Sequence, residues 1–325
     1  MAGRARTRPG SVGSDMLRGE RRAYALARGD TRVPRLLRRL EPYWFILPTL
    51  LVVFGVVVYP VAESLVISLQ KYNLAEPNNR PFVGLNNYLQ LLGSRGFWAI
   101  IQRTAVFTVF SVSITLLIGL GIALLLNQHF VGRGVVRSLL LIPWALPPVV
   151  VGMIWEWIYN GDYGVLNAVL VGLHLSQGYV SFLGDARLAM PAVIATKVWK
   201  EVPFVALLLL AGLQTIPAEL YEAARIDGAG SWRLLRSVTL PLLSPVLAVV
   251  TVLQTMWSFR VFDIIYVMTN GGPADQTNVI ALETYAESFK YLRFGSGAAM
   301  AYIVTLFIGA MSVVYMKLII KDTGA

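Results

Sequence analysis

Residues 221–229, Tyr221-Glu222-Ala223-Ala224-Arg225-Ile226-Asp227-Gly228-Ala229, run on to Thr239-Leu240-Pro241 and form a polar island between two strongly apolar stretches. Their surroundings decide the fold. The chain has 325 residues, of which 56% are hydrophobic and only 14% charged. That balance is too apolar for a soluble domain of this length, and long apolar runs account for the excess. Six runs stand out, at roughly 43–67, 104–126, 138–158, 189–213, 242–262 and 296–319. Each has about the 20 residues a helix needs to cross ~30 Å of hydrocarbon. Lipid offers backbone groups no water, and no barrel-like alternation of polar and apolar residues is present, so helix is the form expected. The expected class is all-α: a polytopic membrane protein with six transmembrane helices and both termini cytoplasmic.

The charge distribution sets that topology. The net charge is +10, yet residues 1–40 alone hold eleven arginines, Arg4 to Arg39, against Asp15, Glu20 and Asp30. The segment reads as a disordered cytoplasmic tail that touches anionic lipid, rather than as a nucleic-acid arm. With the N-terminus inside, eighteen of the 28 lysines and arginines fall on inside segments and seven outside, in the sense of the positive-inside rule. No apolar segment with a small-residue cleavage site marks a removable signal peptide. Residues 41–325 then form the six-helix domain, with 214–241 as a cytoplasmic loop.

Several functions are excluded early. The chain has no cysteine, hence no disulfide, thiol chemistry or cysteine metal site. His129 and His174 are far apart and on opposite sides of the expected topology, which gives no shared metal site or histidine triad. No GxxxxGK[ST] motif is present, so the chain has no P-loop of its own. The expectation is a chain with no enzymatic activity, no cofactor and no metal.

The prolines and glycines punctuate the spans. Pro143, Pro147 and Pro148 predict a kinked or broken third span, and Pro203 sits within the fourth. Gly295-Ser296-Gly297-Ala298-Ala299 opens the last span with small residues that allow close approach.

Within 214–241, Pro217 suits a helix start, and Glu219 and Glu222 lie near the positive end of that helix. Ala218, Ala223 and Ala224 favour helix and leave a small-volume face. Gly228 ends the first piece, Ser231 is placed to cap a second, and Leu240-Pro241 is expected to stop it. By shape alone this segment reads equally as an amphipathic helix lying on the inner leaflet.

The detailed string goes further. Glu222-Ala223-Ala224, then Asp227-Gly228-Ala229, then Leu240-Pro241 resembles the EAA loop of binding-protein-dependent ABC importer permeases. Phe82-Val83-Gly84-Leu85-Asn86-Asn87-Tyr88, and Phe262-Asp263-Ile264-Ile265-Tyr266-Val267-Met268-Thr269 followed by Gly271-Gly272-Pro273, resemble the carbohydrate branch, akin to maltose- and trehalose-type permeases. The likeness covers about residues 41–321. It implies a multi-pass permease of a prokaryotic inner or plasma membrane, importing a disaccharide or oligosaccharide by alternating access. ATP and Mg would be bound by a separate cytoplasmic ATPase dimer. The other implied partners are a second permease subunit and an extracytoplasmic solute-binding protein, with no role for nucleic acid. The resemblance further implies that Glu222 meets a basic residue of the ATPase and that Gly228 forms the knuckle. Ala223, Ala224, Asp227 and Ala229 complete the motif, and Trp232 and Leu235 supply packing. A permease for a glycerol phosphate ester shares the loop and stays open. An ion-coupled secondary transporter would show inverted repeats instead.

Polar groups inside spans cost roughly 2.5–3.5 kcal/mol each at the centre, so they usually face a cavity or partner. Trp199, Lys200 and Glu201 lie near mid-depth of the fourth span. Gln254, Trp257 and Ser258 lie on the fifth, with Arg260 and Asp263 toward its outer end. Rings beside amides suit a sugar, which has apolar C–H faces and hydroxyl edges. Lys200–Glu201 and Arg260–Asp263 read equally as structural pairs, and Trp155 and Trp157 as an interfacial belt.

Overall fold

A computed structural model describes residues 46–322; the basic segment 1–40 lies outside the described residues. Among those described, the only strand-like pairing is one antiparallel bridge, Gln70 to Phe82. Everything else that is regular is helix.

The described residues fall into two units that divide after Ala62. Helix α1, Ile46–Ser68, begins in the first and contains a π-helical stretch at Val53–Val58. All of residues 46–62 are exposed, as an apolar helix is when its neighbours are lipid or another protein.

In the second unit follow α2 (Asn86–Gly93), α3 (Arg95–Leu126), α4 (Arg133–Leu140), a single turn at Ile142–Ala145, α5 (Pro148–Ile158) and α6 (Val165–Gly172). Next come α7 (Ala189–Leu213) and α8 (Ala218–Ile226), then α9 (Ser231–Phe259). The last elements are α10 (Asp263–Met268), α11 (Ile280–Tyr285) and α12 (Phe294–Asp322). Among the described residues four helices, Ile46–Ser68, Arg95–Leu126, Ser231–Phe259 and Phe294–Val314, are long and apolar enough to cross a membrane. Two bent pairs, α4 with α5 at 92° and α7 with α8 at 73°, raise the number to as many as six.

The 92° bend has a local cause. Leu146 and Pro147 each precede a proline, which disfavours the α conformation; both are extended, at ψ 139°, and α5 restarts at Pro148. The third span is therefore broken rather than merely kinked.

The hub is α7, with sixteen of its 25 residues buried. One apolar cluster joins Phe107 of α3, Val193 and Val198 of α7 and Ile265 of α10. A second joins Ala123, Val205, Leu209 and Leu213 with Leu243 and Val250 of α9. A third joins Phe97 and Ile100 with Phe259, Ile280 and Met300. Gly119 lets α3 and α7 approach, since a Cβ there would sit 2.7 Å from Val205. The small-residue start of α12 behaves likewise: a methyl at Gly295 would meet the Gln70 carbonyl, and Asn87 of α2 donates to that carbonyl and to that of Ser68.

Two details depart from the sequence reading. Ser231 does not cap α9, which starts from Gly230 with no side-chain cap. Nor does Leu240-Pro241 stop the helix: it runs through, widening into a π turn at Leu235–Thr239 immediately before the proline. Pro241 has no N–H to return to the preceding turn. A π turn is a common way for a helix to absorb such a break without ending.

Candidate functional site

Two regions carry the candidate residues, and both hang on α7–α9. The first is the knuckle between α8 and α9. Helix α8 ends in a complete Schellman arrangement: Gly228 N–H donates to Arg225 O at 3.0 Å and Ala229 N–H to Ala224 O at 2.9 Å. Gly228 has φ +80°, a left-handed conformation that glycine adopts without steric cost. Asp-Gly after an alanine-rich helix is thus a turn written into the sequence. Around it Glu222, Ala223, Asp227 and Trp232 are exposed, and Ala224, Ala229 and Leu235 half-buried. Trp232 is 73% exposed and Ile226 87%, unusually bare for large apolar side chains at a well-ordered turn. Uncovered large apolar side chains grouped at one turn are the usual mark of an interaction surface.

The second region lies where α7 meets α9. Glu201 accepts from Gln254 Nε2 at 3.5 Å, and Ser258 donates to Gln254 O at 2.7 Å while touching Ser111 of α3 at 3.4 Å. Lys200 Nζ donates to the Trp144 carbonyl at 3.0 Å, a carbonyl left free by the break before α5. Three rings continue this line. Trp144 stacks on Phe204 (centroids 5.0 Å apart, planes 13°), and Phe204 meets Trp257 at 5.4 Å. Trp144 and Trp257 are partly open, at 39% and 37% exposure. Polar groups beside a run of open rings can hold a solute with both hydroxyl edges and apolar faces.

Sequence reasoning missed Trp144, Phe204 and Lys197. Phe204 follows Lys200 at i+4 and so shares its face; that signal was available. Lys197 is only 3% exposed and its Nζ has no partner, as has Gln254 Oε1. Nothing in a single sequence marks which lysine of a span is enclosed.

The remaining candidates are placed elsewhere. Trp199 packs on Trp155 at 5.5 Å and lines a separate cavity. Trp155 is thus packed against Trp199, while Trp157 is 67% exposed. Arg260 and Asp263 are exposed, one ending α9 and the other starting α10. Neither Arg260–Asp263 nor Lys200–Glu201 forms an ion pair; among the described residues the salt bridge present is Arg293–Glu287.

A cavity of about 1100 Å³ forms a groove between α3 and α7 lined by Val106, Phe110, Ile114, Val198 and Trp199, with Arg103 and Arg187 also on its wall. Glu201, Gln254 and Trp257 do not line it. Its apolar walls suit hydrocarbon rather than a polar solute.

Comparison with known proteins agrees with this architecture. The family described as "Binding-protein-dependent transport system inner membrane component" matches residues 115–322, a stretch that includes the knuckle and the α7–α9 line. A trehalose/maltose transport system permease protein, MalF, of Thermococcus litoralis is 43% identical over 275 residues, covering 85% of this chain and 92% of that protein. The trehalose transport system permease protein SugA of Mycobacterium tuberculosis is 33% identical over 286 residues, 87% and 90% of the two chains. Among solved structures, a chain of a bacterial alginate ABC transporter, in complex with an alginate pentasaccharide-bound periplasmic protein, superposes with a TM-score of 0.71. It shares 22% identity over 90% of this chain and 96% of that one, a likeness of fold.

Proposed function

We infer that this chain, which belongs to the family of binding-protein-dependent transport system inner membrane components, is the permease subunit of an ABC importer for sugars. Membership of that family sets aside the ion-coupled alternative. The observation that carries the reading is the α8–Gly228–α9 knuckle: an exposed acidic and apolar turn closed by two backbone hydrogen bonds, inside the matched region.

The finer assignments follow from it. Six spans result if each bent pair crosses once, with both termini inside and α8 at the cytoplasmic face. A separate ATPase dimer receives the knuckle: Glu222 pairs with a basic residue, Trp232 and Leu235 pack, and Ala223, Ala224, Asp227, Gly228 and Ala229 hold the shape. ATP and Mg reside on that partner. A second permease subunit completes the pathway, and an extracytoplasmic solute-binding protein delivers the solute, as the periplasmic protein bound to the alginate transporter suggests by analogy.

The substrate is a disaccharide or oligosaccharide of the trehalose/maltose kind. Two relatives with trehalose in their names support this, and so does the Trp144–Phe204–Trp257 run beside Lys200, Glu201, Gln254 and Ser258. Transport is by alternating access: ATPase closure moves α9 relative to α7, and the ring line opens to one side or the other.

The test is reconstitution. The tagged chain is purified with its co-eluting subunits into liposomes, and trehalose or maltose uptake is measured with ATP and the binding protein. Uptake that needs both, with an ATPase and a second permease in the preparation, is expected. A chain that purifies alone and moves sugar without ATP would overturn the reading.

A further inference from the structure

We propose that Tyr221 and Thr239 form the pin by which the knuckle drags α9, and that the π turn at Leu235–Thr239 is the element the pin acts on. The proposal rests on the docking role of the knuckle given above.

Adjacent residues of α8 face opposite ways. Glu222 is exposed, whereas Tyr221 is half-buried and its hydroxyl lies 3.2 Å from Thr239 Oγ1. Among the described residues this is the one side-chain hydrogen bond that leaves α8. Thr239 is itself 3% exposed and donates to Leu234 O at 3.3 Å. A threonine hydroxyl has one proton; with that proton on Leu234, Tyr221 is the donor to Thr239. The chain of donors runs from α8 through Thr239 to Leu234, across the whole π turn.

A π turn holds one more residue per closed ring than an α turn, and such turns are common at functional sites. This one stands directly below the Pro241 of α9, where the proline already lacks a backbone donor. A pull on Thr239 therefore acts on a turn whose α-type bonding is already interrupted. Beyond it α9 is continuous α-helix to Phe259, and Gln254 lies fifteen residues on, about 22 Å along the axis. Gln254 in turn reaches Glu201 at 3.5 Å, a long contact. Movement of a docked knuckle is passed by the Tyr221–Thr239 bond to the π turn, and by α9 to the solute line. Tyr221 and Thr239 are positioning residues: they touch neither sugar nor nucleotide.

The experiment compares Tyr221→Phe, Thr239→Val, Thr239→Ser and the double variant Tyr221→Phe/Thr239→Val, with Glu222→Lys as reference, in the assembled transporter reconstituted with its binding protein. Two quantities are read: ATPase retained on purification, and sugar moved per ATP hydrolysed. Tyr221→Phe and Thr239→Val are expected to keep the ATPase but to move about threefold to tenfold less sugar per ATP, the weight of one neutral hydrogen bond. Thr239→Ser should restore the ratio, and the double variant should be no worse than either single one. An unchanged ratio in Tyr221→Phe would overturn the pin, as would loss of the ATPase equal to that of Glu222→Lys, because the bond would then serve docking alone. Should Thr239→Val fail to fold, Tyr221→Phe decides by itself. Full ATPase retention and transport by Glu222→Lys would instead sink the docking role, which separates the two failures.

Discussion

The knuckle and the α7–α9 line solve opposite problems on one continuous helix. At the knuckle the turn is closed by backbone bonds and the side chains are left bare: Gly228 and Ala229 close it while Trp232 and Ile226 stand in the open. On α7 and α9 the buried polar groups are incompletely bonded, with Lys197 Nζ and Gln254 Oε1 buried and without a hydrogen bond. On the proposed function, the closed turn with its uncovered side chains is the part that meets the ATPase. An enclosed set of polar groups held by long or missing bonds is built to change partners, because little is lost when one contact is exchanged for another.

That contrast is broken most severely at Gly228. Proline cannot adopt φ +80°, so Gly228→Pro should abolish ATP-driven uptake while leaving the chain inserted in the membrane. Vesicle uptake, together with immunoblotting of the membrane fraction, checks both halves. Gly228→Ala, costing roughly 1 kcal/mol at a left-handed position, should retain partial uptake. Equal loss in the two would mean that the side chain, not the backbone, matters there.

The α7–α9 side is sharpened by Trp257→Ala. This removes one ring contact, with Phe204 at 5.4 Å, and such pairs are worth about 0.5–1.5 kcal/mol beyond area. KM for sugar should rise by about threefold to tenfold, with the ATPase still bound. The mirror variant Trp232→Ala should do the reverse, lowering ATPase retention with KM unchanged. If both raised KM alike, the division between docking and solute regions would fail.

Much of this was legible in one sequence because the signals are short-range. Asp-Gly after Glu-Ala-Ala sets a helix end at Gly228, and three prolines set the break before α5. The ends of the fourth span, 189–213, coincide with α7. What was not legible depends on rotation about helix axes. Trp199 and Lys200 are neighbours in sequence, yet one lines the α3–α7 groove and the other bonds Trp144 at the break. Trp144 could not be placed until that break had turned it toward Phe204. The π turn escaped because a proline in sequence says a helix is disturbed, not whether it ends or widens.

Packing gives a smaller effect. A Cβ on Gly119 would lie 2.7 Å from Val205, so Gly119→Val overpacks the α3–α7 contact by about 1–3 kcal/mol. The thermal midpoint of the detergent-solubilised transporter should fall by several degrees. The solute line is on another face of α7, so KM should hold; a KM shift as large as that of Trp257→Ala would show that the faces are coupled.

The smallest effect has the most informative sign. Lys197 is 3% exposed, and its ammonium has no hydrogen-bond acceptor. Glu201, one turn along the same helix, is held toward Gln254. An enclosed charge with a carboxylate nearby but no hydrogen bond destabilises the state that encloses it, and replacement by an apolar side chain of similar volume often relieves this. Lys197→Met should therefore raise the thermal midpoint, by about 1 kcal/mol of stability or a few degrees, and it should do so in the resting transporter. Uptake should fall, because the chain then lacks a charge that can take Glu201 when α9 moves away from α7. A rise in stability with lower uptake marks Lys197 as a group whose unfavourable resting state is part of the cycle. A drop in stability would mean that it already has a partner at rest, and the contrast between a closed knuckle and an incompletely bonded interior would lose its strongest member.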